Sequence, residues 1–167
     1  MAWRVEVKGG KALEKALAMA GKRAPQAMAQ ALSIEAESIM TESKKLAPVD
    51  EGTLRDLSST VHDPVHGPGT VSVTMGYGGP ASDYALYVHE GIGPAVGRPP
   101  FRVSAKHSKD WARRVLGDED AAYAVAAAVG KRGLKPTKFL ETPFRAARAG
   151  MSARLARRIR TFMNWQE

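Results

Sequence analysis

An α+β fold is expected, with a long N-terminal helix and a basic C-terminal helix packed on a small, mostly antiparallel sheet. Three features lead there. Apolar residues recur at helical spacing between Lys11 and Lys45 and again between Phe144 and Phe162. Two-residue alternation is confined to short stretches, the clearest being Val71, Val73 and Met75 set between Thr70, Ser72 and Thr74. Blocks dense in proline and glycine separate these stretches. With 167 residues the chain is expected to form one domain, 1–167, large enough to bury a core without cross-links.

Taken in order, Trp3, Val5 and Val7 alternate with Arg4 and Glu6 as a short strand that ends at Gly9-Gly10. Leu13, Ala16, Leu17 and Ala20 begin a helix. Gly21 and Pro25 are expected to interrupt it, with Pro25 in the first turn of a second helix. That helix runs through Met28, Leu32, Glu35 and Ile39 to about Lys45, with Met28, Leu32, Ile39 and Leu46 as its apolar stripe. The block Ala47 to Ser58, APVDEGTLRDLS, then turns the chain from helix to strand. Pro48 disfavours the helical region at Ala47, Asp50 can bond backbone amides two residues on, and Gly52 supplies a conformation closed to residues with side chains. Leu54 and Leu57 are expected to anchor the element that follows.

Strands are expected at Ser58 to Val61 and Thr70 to Met75, joined by a turn or loop, HDPVHGPG. Ala81 to Glu90 stands alone as an apolar and aromatic segment between breakers. Gly91 to Pro100, GIGPAVGRPP, is expected to have no regular structure and, as a long loop, to face a partner. Trp111 to Leu116 and Asp120 to Val129 read as helices, with Asp118 or Asp120 as N-cap. After the break KRGLKP, Thr142 is expected to cap one terminal helix with Pro143 in its first turn. Phe144, Ala147, Met151, Leu155, Ile159 and Phe162 would line one face of that helix.

Composition narrows the chemistry. The chain has no cysteine, which removes disulfides, thiolate metal sites and a cysteine nucleophile, and fits synthesis in a reducing compartment. No apolar run has the length of a signal peptide or a membrane span, so no membrane association is expected. His62 and His66 have helical metal-pair spacing, but Pro64 and Gly67-Pro68 deny them a helix. His89-Glu90 is the most enzyme-like pair, yet there is no GxSxG elbow and no phosphate loop. No metal, no cofactor and no catalytic residue is expected, and the chain reads as a non-enzyme. The net charge is +8, and Arg145, Arg148, Arg154, Arg157, Arg158 and Arg160 fall in a stretch without a carboxylate. Such a stretch is a solvated helix face, or it draws nucleic acid, an anionic membrane surface or an acidic protein partner.

Four blocks, in order, carry a resemblance. They are Ala47-Pro48-Val49-Asp50-Glu51-Gly52-Thr53-Leu54-Arg55, then Tyr84-Ala85-Leu86-Tyr87-Val88-His89-Glu90-Gly91, then Arg98-Pro99-Pro100-Phe101, and Lys135-Pro136-Thr137-Lys138-Phe139-Leu140-Glu141 ahead of the last helix. Over about residues 31–163 the chain resembles the neck and tail-completion (head–tail joining) proteins of long-tailed double-stranded DNA phages. Glu51 and Ile92 stand where that family more often has threonine.

The resemblance implies a virion structural protein at the head–tail junction, made in the cytoplasm of a bacterial host. Its partners would be its own copies in a ring around the DNA channel, a hexamer being the expected form, a head-side connector or stopper, and a tail terminator or tail tube protein. Tyr84, Tyr87, His89, Glu90, Arg98 and Phe101 are then the expected contact residues, since tyrosines bury apolar bodies while keeping their hydroxyls bonded. The six arginines are expected to meet channel DNA or an acidic neighbour. The alternative is a basic protein that binds nucleic acid without regard to sequence.

Overall fold

The computed structural model describes residues 10–49, 52–79 and 82–163. The strand expected at Trp3 to Val7 and the Asp50-Glu51 part of the corner lie outside them. The described chain is α+β, with α1 at Gly10–Leu46, β1 at Ser59–Val61, β2 at Val65–Gly67, β3 at Thr70–Ser72 and β4 at Met75–Tyr77. The rest is helical: α2 at Ser82–Glu90, α3 at Lys109–Leu116, α4 at Ala121–Arg132, α5 at Glu141–Arg148 and α6 at Met151–Phe162.

The chain forms two compact units, each discontinuous in sequence. The first draws its described residues from Met1–Thr41, Val61–Met75 and Phe144–Glu167, the second from Glu42–Thr60 and Gly76–Pro143.

The expected interruption of α1 does not occur. Pro25 lies inside one continuous helix. The carbonyl its ring would crowd, four residues back, belongs to Gly21, where the backbone has the most freedom to yield. The buried face of α1 differs from the expected leucine stripe. Ala27, Ala31, Glu35, Ile39, Ser43 and Ala47 follow one another at four-residue steps and are buried, together with Ala36 and Met40, while Leu46 is 48% exposed. Small residues dominate that face, so backbone can approach closely.

At the corner Gly52 takes φ 81°, as the sequence requires, and a Cβ there would lie 2.6 Å from Asp56 Oδ2. Thr53–Leu57 closes a single π-type turn. That geometry corrects the expectation for the two leucines: Leu54 is buried, whereas Leu57 is 70% exposed, because residues three apart do not share a face in so wide a turn.

The strands make two two-stranded ribbons rather than one sheet, β1 with β4 and β2 with β3. The segment expected to be only a loop holds β2, which pairs antiparallel with β3 across Pro68-Gly69, His66 opposite Val71. Beside the outer ribbon, Thr74 O accepts the His62 N–H and Ser58 O accepts the Gly78 N–H, so these strands also run in opposite directions. The alternation holds in burial, with Val71, Val73 and Met75 half-buried and Thr70, Ser72 and Thr74 exposed.

The expected single C-terminal helix is two. α5 begins at Glu141, one residue before the expected cap Thr142, and the chain breaks at Gly150, φ 72°, before α6. Nor is Gly91 to Pro100 wholly irregular. Gly93–Val96 makes a 3-10 turn, and Ile92 and Leu134 exchange both backbone hydrogen bonds, 3.0 and 2.9 Å. Asp118, rather than the N-cap residue Asp120, supplies the capping carboxylate, which accepts the Asp120 N–H at 2.9 Å.

The second unit has its core at Ala47, Leu54, Ala85 and Phe139, with Tyr77, Val88 and Leu140 against it. Phe139, 2% exposed, takes edge-on contacts from Tyr77 at 4.8 Å and His89 at 4.9 Å. The Tyr77 hydroxyl is hydrogen-bonded to Ser43 Oγ at 2.9 Å, which accounts for a buried serine on α1.

Truncating the ring in Phe139→Ala should cost about 3–5 kcal/mol, read as a drop in the urea midpoint. Burial raises the Tyr77 pKa above its ordinary value, with the Ser43 hydrogen bond opposing. A tyrosine whose folded pKa is raised stabilises the fold below its unfolded pKa, and that contribution is lost as pH rises through the folded value. Ultraviolet titration should therefore show a tyrosine ionisation above the ordinary range, and Tyr77→Phe should abolish that late step.

Candidate functional site

α2 turns Ala85, Val88 and His89 inward, at the three- and four-residue steps of one helix face. The opposite side carries Tyr84, Leu86 and Tyr87, which are 39%, 63% and 47% exposed. Leu86 thus points largely outward, and the two tyrosines leave part of their rings exposed on that side. Beside it lies a groove of about 470 Å³ lined by Pro48, Val49, Gly52, Thr53, Leu54, Tyr84, Val88 and Trp111. The corner block and the YALYVHEG block, far apart in sequence, form its walls.

The end of α2 is clasped by the segment 137–141. Val88 O accepts from both the N–H and the hydroxyl of Thr137, and His89 O accepts from Lys138 N at 3.1 Å. These bonds occupy carbonyls that a helix C-terminus leaves without partners. Lys138 is the one non-glycine residue with positive φ, 51°, among the described residues. Its backbone reaches His89 while its Nζ bonds Glu90 and lies 3.3 Å from Glu141 Oε2. Glu90 chiefly, with Glu141 adding, raises the Lys138 pKa against the opposing effect of burial.

His89, Glu90 and Glu141 place potential ligand atoms within 4.8 Å of one another, the one such group found among the described residues. The donor set does not suit a metal. The Lys138 ammonium already supplies the positive charge between the carboxylates. His89 Nδ1 accepts a long bond, 3.4 Å, from Leu140 N, and its Nε2 lies 3.5 Å from Glu90 Oε1. With its ring edge-on to Phe139, His89 is part of the architecture.

Of the other expected contact residues, Arg98 is exposed and its N–H bonds Gly93 O at 3.1 Å. Phe101 is half-buried, its N–H bonded to Gly130 O at 3.1 Å, and it lines a second groove with Tyr123 and Lys131. Tyr84 and Tyr87 therefore share a helix face, while His89 packs on Phe139 and Phe101 lines the second groove.

The arginines divide. Arg154 Nε donates to Glu35 Oε1 at 2.9 Å, and Arg158 Nη1 donates to Glu35 Oε2 at 3.0 Å. Arg154 also donates to the carbonyls of Ala149 at 2.9 Å and Ala147 at 2.5 Å, at the end of α5. The Glu35 side chain is only 6% exposed. Arg148 and Arg157 are exposed, as are Arg145 and Arg160, the last two having contacts of their own.

Sequence reasoning did not single out Glu35 as a partner. The signal was there, a carboxylate in phase with Ala27, Ala31 and Ile39 on an apolar face. Lys138 and Phe139 stood in a resemblance block, but nothing local marks the left-handed backbone of Lys138.

Removing both cations strands a buried carboxylate, whereas neutralising Glu35 leaves arginines that water still reaches. Arg154→Met with Arg158→Met should therefore lower the urea midpoint more than Glu35→Gln does. Equal losses would place the weight of the pairing elsewhere. No protein-family model, curated protein or solved structure matches the chain.

Proposed function

We propose that the chain is a structural subunit of a phage neck, completing the tail and joining it to the head as one member of a ring around the DNA channel. The observation that carries this reading is the outward apolar face of α2, Tyr84, Leu86 and Tyr87, beside the groove built by the corner block. A monomer gains nothing by exposing two tyrosines and a leucine on one short helix, whereas an interface uses such residues as anchors. In a homomeric ring each copy docks one surface onto a different surface of the next. The outward Leu86 and Tyr87, and the groove that Tyr84 and Val88 help to line, supply two unlike surfaces.

The ordered blocks Ala47–Arg55, Tyr84–Gly91, Arg98–Phe101 and Lys135–Glu141 support the family resemblance. Two of them, Tyr84–Gly91 and Lys135–Glu141, are hydrogen-bonded and ring-stacked to each other, and Ala47 and Leu54 of a third share their core, a reason for such blocks to occur together. The partners under this reading are copies of the chain, a head-side connector or stopper, and a tail terminator or tube protein. The basic helices α5 and α6 favour an anionic neighbour, DNA or protein. Net charge +8 with Arg148 and Arg157 exposed is also what a nucleic-acid binder acting alone would have.

Light scattering of the purified chain, alone and with its head-side and tail-side partners, separates the two. A ring mass in either setting is expected. A monomer indifferent to those partners, but retarding DNA with a steep salt dependence, would replace this reading with the nucleic-acid binder. Leu86→Asp with Tyr87→Ser should keep the monomer's circular dichroism and melting while abolishing the ring.

A further inference from the structure

In the first unit, the sequence and the described backbone disagree at one point. Phe144, Ala147, Met151, Leu155, Ile159 and Phe162 keep a three- and four-residue spacing without losing phase through Gly150, which is the pattern of one continuous helix. The chain instead breaks there, with Gly150 in the left-handed region at φ 72°. The broken form leaves the two ends of the stripe poorly covered, Phe144 46% and Phe162 37% exposed, and α6 has no buried residue.

What holds the break is largely one side chain. Arg154 caps α5 through the carbonyls of Ala147 and Ala149, and with Arg158 it fastens α6 to the buried Glu35 of α1. Release of that clasp lets Phe144–Phe162 run as one helix roughly 28 Å long, carrying Arg154 and Arg158 away from their own Glu35. Glu35 then loses both of its cationic partners. The group that restores the pairing best is the same α6 on another copy, which brings the matching charges and the matching apolar residues.

We infer that α6 is an exchangeable arm, docked on its own α1 in the separate subunit and on the Glu35 site of a second copy in the assembly. The short connection Ala149-Gly150 and an element identical in both docked states are the conditions under which exchange between copies costs little. The inference rests on the ring reading for its setting, but it concerns a different surface from α2.

The experiment uses the full-length chain in two arms. Gly150→Ala removes the residue that tolerates the left-handed turn and favours the continuous helix, so self-association by light scattering should tighten roughly tenfold or more, with a gain in helical dichroism. In the second arm, Glu35→Arg chains are mixed with Arg154→Glu, Arg158→Glu chains. Each variant alone lacks its clasp. In the mixture the intact α6 of the first meets the intact Glu35 of the second, and a mixed complex absent from either preparation is expected.

Unchanged association of Gly150→Ala, together with no mixed complex, overturns the arm exchange even if the wild-type chain forms a ring, and the ring reading then stands without it. Tightened association of Gly150→Ala with no ring under any condition would sustain the exchange and remove the ring. Should the charge variants fail to fold, the glycine variant alone decides.

Discussion

The ring of Phe139 receives Tyr77 edge-on from one side and His89 edge-on from the other, and each of these is anchored in turn. Tyr77 is tied through its hydroxyl to Ser43 near the end of α1, and His89 is held at the end of α2 by the segment that follows α4. One side chain thus brings together four stretches of the second unit. The constraint is geometric as much as hydrophobic. Edge-on aromatic pairs tolerate little rotation, and each polar tip has one partner within reach.

This accounts for the appearance of residues that look functional in sequence. A histidine beside a glutamate, near two further carboxyl or amino groups, has the composition of a catalytic or metal site. Here the ammonium of Lys138 lies between the carboxylates and the imidazole accepts from a backbone amide. Lys138 Nζ on Glu90 and the Leu140 amide on His89 Nδ1 tie α2 to the following loop. Leu86 and Tyr87, 63% and 47% exposed, lie on the other side of the helix.

The first unit is organised differently. Its buried α1 face is mostly alanine, which yields little apolar area for each residue. The Glu35 clasp with Arg154 and Arg158 adds direction, fixing which face of α6 meets α1. The same clasp makes the docking polar and therefore separable, where a leucine-rich interface would not be.

Much of the secondary structure was determined by the sequence alone. Helical spacing marked α1, α3, α4 and the C-terminal helices, strand alternation marked Val71 to Met75, and Gly52 marked a left-handed corner, because each depends on residues within a turn or two of one another. The break at Gly150 and the left-handed Lys138 were decided by tertiary structure, where a distant partner outweighs local preference: Glu35 clasps Arg154 across more than a hundred residues, and His89 and Glu90 bind Lys138 across about fifty. Continuity of α1 through Pro25 and the unequal fates of Leu54 and Leu57 turn on backbone geometry, at Gly21 and in the π-type turn, that residue spacing does not reveal. The candidate interface divides in the same way. Which residues could serve was legible from their types, but which of them face outward depended on where Phe139 drew the inner side of α2.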